Sequence, residues 1–381
     1  MTDVAAIYFP SWHVDPRRET EKGSDWTEWE LVKAAVPRFP GHAQPIEPMW
    51  GYIDEADPCV MQRSCDTARL AGIDAFLWDW YWYDDGDGSG DYLNRPLDQT
   101  YLMLESPGVD FALMWANHDW NDVFPACVGV EPTRLHGGGV SPAGFRTVFE
   151  LVVDRYLGLD RYWRVNGAAW FTVYRLDVLI EGLGGMTETQ RLLEQFRAYA
   201  RSEGRGELHL NALDGWQRLN PVQLAELGLD SVGHYNWASV LPLDQGLEVP
   251  YGAWRERARA QWQDDSQRIA QAGDGRLAYV PNVTMGWDST ARVSPGDELV
   301  VSDWPFLPVA TGNDPDSFFD SCRDVFGFAR ELGAPAVVVN AWNEWTEGSY
   351  LEPDRRHGFA YIEAIRRAKL AVWGGVAYER A

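Results

Sequence analysis

Positive charge is scarce in this sequence. The 381 residues carry 33 Lys and Arg against 57 Asp and Glu, a formal charge of −24. Such a field repels phosphate backbones and anionic lipid. No Lys/Arg run provides a local exception, so nucleic acid is excluded as a partner class. Long apolar runs are missing too. Nothing approaches the ~20 residues that span a bilayer. The opening MTDVAAIYFP has no basic segment ahead of its short apolar run, so no signal peptide and a cytoplasmic location are expected. Cysteine is limited to Cys59, Cys65, Cys127 and Cys322, with no CxxC pair and a spacing that suits neither zinc nor a disulfide framework. There is no GxGxxG after a strand, no GxxxxGK[ST], no HExxH and no GxSxG. Dinucleotide, NTP, zincin and α/β-hydrolase readings therefore lose support, and no cofactor is expected.

What is present is an ordinary globular balance, 45% hydrophobic and 24% charged, in a chain long enough to bury a large core. Tryptophan stands apart at 20 residues, with aromatics at 13%. Indole faces stack on the C–H faces of sugars, while carboxylates bond their hydroxyls. A Trp-rich core would give the same count.

Short apolar and β-branched runs alternate with helical patterns. Strands are expected at 5–10, 73–82, 110–118, 168–174, 207–212, 230–237, 277–287 and 336–345. Ser141-Pro142, Asn220-Pro221 and Asp314-Pro315 read as helix starts, and Thr187–Gln190 as a capping box. Further helices are expected at 54–71, 252–272 and 357–373. Eight strands alternating with helices imply a (β/α)8 TIM barrel over 1–381 as one domain, with a doubly wound open sheet as the alternative. Helix-to-strand links are short. Strand-to-helix links are long, at 11–53, 83–98, 119–140, 238–251, 288–314 and 346–356. In a barrel those long loops share one face, where sites are built.

The densest chemistry is NAWNEWTEGSYLEPD (340–354) at the last strand's end. Glu344 and Glu347 are three apart, so a helical turn puts both on one side. Two close carboxyls cannot ionise independently, and one protonated with one ionised is the equipment of glycosidic cleavage. Trp342 and Trp345 are candidates for a stacking wall, and Gly348 for a sharp turn. WANHDW (115–120) supplies Trp115, Asn117, His118 and Asp119, read as hydroxyl-binding rather than catalytic. In LWDWYWYDD (77–85), alternation puts Asp79, Tyr81 and Tyr83 on one face and Trp78, Trp80 and Trp82 on the other. Tyr8, His42, Tyr174, Asn211, Tyr235, Trp287 and Asn340 complete the candidate substrate-binding set. DDGDGSGD (84–91) has a calcium loop's composition, but position twelve would be Pro96, so it is read as an acidic loop and no metal is expected.

With WTEW (26–29), GHAQP (41–45), WANHDW (115–120), GWDSTAR (286–292) and NAWNEWTEGSYLEPD (340–354) in order, the chain resembles, nearly end to end, the glycoside hydrolase family 99-like proteins. These include the WbsX-like glycosyltransferases of polysaccharide biosynthesis. The resemblance implies a (β/α)8 barrel and metal-independent hydrolysis by a Glu-x-x-Glu pair. It makes Glu344 the base that deprotonates the sugar 2-hydroxyl, through an anhydro-sugar with net retention. It makes Glu347 the acid and then the base for water. Thr346 stands where endo-mannosidases tend to carry His, and His118 where the WbsX-like branch usually shows Glu. The expectation is a retaining glycoside hydrolase acting on an α-linked oligosaccharide or polysaccharide. The alternatives are a glycosyltransferase of surface polysaccharide biosynthesis and a non-catalytic carbohydrate-binding barrel.

Overall fold

A computed structural model describes residues 2–84, 90–271 and 275–374. Its centre is a parallel sheet closed into a barrel. In chain order the strands are β1 (Asp3–Tyr8), β2 (Ala75–Trp82), β3 (Asp110–Trp115), β4 (Ala168–Arg175), β5 (Leu208–Asp214), β6 (Ser231–Gly233), β7 (Ala278–Val280), β8 (Asn282–Thr284) and β9 (Ala336–Asn340). Their spatial order is β7-β6-β5-β4-β3-β2-β1-β9-β8. The strands β7 and β8 are two halves of one barrel position, separated by Pro281. Proline has no N–H for the ladder, so the ladder breaks there. The Pro281 carbonyl still accepts the Val338 N–H at 3.1 Å. One half pairs with β6 (Ser231 with Ala278) and the other with β9 (Asn282 with Val338), which closes the ring.

Each of the eight expected strand regions contains barrel strand. The ladders are shorter than the apolar runs, and the overhanging ends of 110–118, 230–237, 277–287 and 336–345 become the mouth loops. The strands are buried along nearly their whole length, as a sheet covered by helices requires. The helices start where cap chemistry says. Asp57, Ser141, Asn220 and Asp314 each accept N–H groups of the first turn ahead of a proline at N1, and Asn220 with Gln223 forms a full capping box. The Thr187 box does not form. The chain enters that helix through Gly184 and Gly185, both at positive φ, so Met186–Ser202 begins two residues early with Gly185 at the cap, and Glu188 turns to Arg191 at 2.8 Å.

The tryptophan count is chiefly a core signal. Twelve tryptophans, including Trp78, Trp80, Trp115, Trp342 and Trp345, are fully buried. Among the described residues no helix is long and apolar enough to cross a membrane. The acidic segment 85–89 lies outside the described residues.

Candidate active site

The long loops at the C-terminal ends of the strands surround a cavity of about 1010 Å³. Glu344 and Glu347 both line it. Beyond β9 the chain makes a tight antiparallel turn: Asn343 pairs with Tyr350, Glu344 pairs with Ser349, and Trp345–Glu347 form a single 3₁₀ turn. Glu344 caps this turn and Glu347 ends it, and both carboxyls face the cavity. The Asn343 side chain fixes this turn to the end of β1, accepting the Phe9 N–H (2.7 Å) and donating to the Phe9 carbonyl (3.0 Å).

One buried guanidinium serves both acids. Arg292 lies 3.6 Å from Glu344 Oε2 and 3.7 Å from Glu347 Oε1, and is itself held by Glu28 at 2.5 Å. Glu28 is fully buried and also accepts the Thr346 hydroxyl at 3.0 Å. Burial opposes the Arg292 charge, but Glu28, Glu344 and Glu347 together hold its pKa above the ordinary value. Burial lifts the Glu344 carboxyl well above its ordinary range; Glu347 adds to the rise and Arg292 opposes it. Burial also raises Glu347, against Arg292 and the Trp304 indole N–H, which donates to its Oε1 at 3.0 Å. Asp79 is raised chiefly by burial, with the Tyr235 hydroxyl opposing. That hydroxyl reaches Asp79 at 3.2 Å and Glu344 at 3.4 Å. Once Glu28 and Arg292 neutralise each other, three carboxyls share a poorly solvated space, and they cannot all stay ionised. Among the described residues Glu344 Oε2 has no hydrogen-bond partner. With protein groups alone, the proton therefore favours Glu344 over Glu347.

Asp79, His118, Asp119, Tyr174, Tyr235 and Trp287 also line the cavity. His118 Nδ1 lies 2.9 Å from the Asp119 carbonyl, so it carries the ring proton and Nε2 is free to accept. Burial lowers the His118 pKa. The Asp119 carboxylate turns instead to the Gly138 N–H (2.9 Å) and Arg134 (3.5 Å). The two side chains do not form a proton-transfer couple.

Seven sequence candidates lie elsewhere. Tyr8 is buried and donates to Glu55 at 3.0 Å. Trp115 packs on Phe145 beneath the helices. Asn117 is a loop brace, bonded to the Arg175 backbone in both directions at 2.8 Å. Asn211 belongs to a barrel-interior layer with Thr172 (3.1 Å) and Ser231 (2.9 Å). Asn340 is fully buried, and Trp342 donates to Ser64 at 2.7 Å behind the site. His42 lines a second cavity, of about 580 Å³. Trp345 is no stacking wall either: it donates to Glu352 at 2.9 Å and stacks on Tyr350. The cavity's tryptophans are Trp120, Trp287 and Trp304. Sequence reasoning missed Glu28, Arg292 and Trp304 as site residues. The first two sit inside WTEW and GWDSTAR, but their pairing is a tertiary fact with no local signal.

A closed parallel barrel with a carboxylate-lined cavity at the C-terminal mouth defines a TIM-barrel protein. Within that class, the chain belongs to the WbsX family: the family model described as "Glycosyltransferase WbsX" matches residues 4–365. The WxcX protein of Xanthomonas campestris pv. campestris is 28% identical over 386 residues, covering 96% of this chain and 49% of its own length. The chain thus spans about half the length of the curated relatives it matches. The GH99 endo-α-mannosidase of Bacteroides thetaiotaomicron shares the fold at 16% identity and TM-score 0.58, covering 97% of this chain and 96% of that one. A solved glycoside hydrolase-like protein aligns at 14% identity and TM-score 0.62, covering 96% and 93%.

Proposed function

We propose that the chain is a retaining glycoside hydrolase that cleaves an α-linked oligosaccharide or polysaccharide with Glu344 and Glu347. One observation carries this reading: two buried glutamates face one cavity and share one buried arginine. The cavity lies at the upper end of the ~300–1,000 Å³ of small-molecule sites.

The working state of the pair holds one proton. A sugar 2-hydroxyl that donates to Glu344 Oε2 supplies the hydrogen bond this oxygen lacks and favours its ionised form. The proton then belongs on Glu347, beside the leaving oxygen. Glu344 takes the 2-hydroxyl proton as O2 attacks C1, and Glu347 protonates the departing oxygen, leaving a 1,2-anhydro sugar. In the second half Glu347 takes a proton from water as it opens the three-membered ring at C1, and Glu344 returns its proton to O2. Two displacements at C1 give net retention. The attack requires O2 and the leaving oxygen on opposite ring faces. Thr346 bonds Glu28 and does not line the cavity, so this difference from endo-mannosidases acts through the Glu28–Arg292 pair.

The family's description as a glycosyltransferase favours a second reading. Against it, the cavity's guanidiniums are engaged: Arg292 by Glu28, Arg175 by Asp177 at 2.7 Å and Arg134 by Asp119 at 3.5 Å. A sugar nucleotide would bring a diphosphate into this acidic space. A hydrolysis screen over a glycan library, with NMR of the first-formed anomer, decides between the readings. A retained anomer supports the hydrolase. Tight, metal-dependent binding of a nucleotide sugar in calorimetry overturns it, and sugar binding without any product leaves a carbohydrate-binding barrel.

A further inference from the structure

Asp288 lines the second cavity, not the first, yet it touches the acid turn. Its backbone N–H donates to the Glu347 carbonyl at 2.7 Å. Its carboxylate is buried and saturated. It accepts from His42 Nε2 (2.8 Å), Gln44 Nε2 (2.6 Å), the Thr290 N–H (3.0 Å) and the Thr290 hydroxyl (2.6 Å). Burial alone would raise its pKa, but His42, Thr290 and Gln44 bring it below the ordinary value. The His42 ring is locked in turn. Its Nδ1 accepts the Arg38 N–H at 3.0 Å, which leaves the Nε2 proton for Asp288, and its face stacks on Phe39.

Two glycines mate the Asp288 segment to the acid turn. Gly348 has φ +62, and a Cβ there would lie 2.7 Å from Asp288 Cβ; a Cβ on Gly286 would lie 2.8 Å from the Gly348 carbonyl. At Gly348 the Asp288 backbone itself closes the space, its N 2.9 Å from such a Cβ; at Gly286 the Asn313 side chain stands closer still than the Gly348 carbonyl. The motifs GHAQP and GWDSTAR thus converge on one carboxylate, one residue beyond the cavity wall.

We propose that Asp288, clasped by His42 and Gln44, is a positioning residue for Glu347. It fixes the acid through the Glu347 carbonyl and not through its own charge, which its partners consume. The proposal rests on the hydrolase reading for the role of Glu347, but not for the clasp itself.

The test uses the full chain carrying Asp288→Asn, His42→Ala or His42→Gln, with Glu347→Gln as comparator. Asn turns an amide N–H₂ against donors, Ala removes one donor, and Gln returns an N–H. On glycosides with sugar leaving groups, Asp288→Asn and His42→Ala are expected to lose about 10²-fold in kcat with KM within about threefold, the size of an ångström-scale misplacement. On activated aryl glycosides, whose departure needs no acid, kcat/KM falls little in either variant, as in Glu347→Gln; the two leaving groups are compared in kcat/KM because kcat still includes the water step that Glu347 serves, and His42→Gln recovers most of the loss on sugar leaving groups. Backbone hydrogen exchange over 286–290 speeds up in the first two variants. Equal loss on both leaving groups overturns the proposal, as does wild-type turnover, or a His42→Gln no better than His42→Ala. If the wild type cleaves neither series, the hydrolase reading fails, and the exchange result decides the clasp: unchanged exchange over 286–290 refutes it.

Discussion

Replacing Arg292 with Met removes the cation shared by three buried carboxylates. At 3.6 and 3.7 Å from Glu344 and Glu347, an effective dielectric near 20 gives about 4 kcal/mol of attraction to each. Without it the proton affinity of both acids rises, and the state with one proton per pair moves to higher pH. The sign is fixed: a lost cation raises a carboxyl pKa, so the optimum for kcat/KM moves up. At neutral pH the doubly protonated pair lacks a base, and kcat/KM falls about 10²–10³-fold. Glu28 is left buried without its partner, at a cost of about 3–5 kcal/mol in stability. The Glu28→Gln variant has the opposite electrostatic sign, because Glu28 raises both acids, and its optimum moves down. The double variant recovers most of the stability that Arg292→Met loses. pH-rate profiles and thermal melts of the three proteins check this. An Arg292→Met protein that stays folded with an unmoved or lowered optimum would refute the reasoning.

Glu352, held by Trp345 and Ser64 behind the site, is pushed up to about 7, chiefly by burial. A carboxyl raised on folding favours the native state while protonated, so stability falls as pH climbs from about 4.5 to about 7 and then levels, by roughly 3 kcal/mol in all. Glu352→Gln mimics the protonated form and flattens this decline; denaturant melts across pH 4–8 that keep the slope contradict the assignment. Trp304→Phe removes the N–H on Glu347, a bond to a charged group worth about 1.5–3 kcal/mol, and moves the pH profile upward. Tyr235→Phe strips a donor shared by Asp79 and Glu344 and lowers kcat about 10²-fold at little cost in KM, the low end of what a proton-handling group contributes; a KM effect alone would assign Tyr235 to ground-state binding.

The barrel was legible because its signals are local. Buried parallel strands read as apolar runs, and Ser141, Asn220 and Asp314 announce helices through side chains that bond N–H groups two or three residues on. Thr187 misled because the decisive residues were the two glycines before it. Trp115 and Trp342 misled because an indole in a strand looks the same whether it faces helices or a cavity. Glu344 and Glu347 were legible as a pair from spacing alone. Arg292 and Glu28 were not, since their meeting depends on the closure of the long first and seventh loops. Asn117 and Asn211 illustrate the same limit: polar side chains near strand ends serve loop bracing and interior layers as readily as a ligand.

In the proposed hydrolase Glu344 and Glu347 act together on a bound saccharide. The most direct test of this is kcat/KM of Glu344→Gln and Glu347→Gln on a glycan the parent cleaves, alongside their melting temperatures. Each variant is expected to lose at least about 10³-fold on a natural glycan, within the ~10²–10⁴-fold that general acid–base catalysis contributes, with the barrel still folded. Turnover near that of the parent in either one contradicts it.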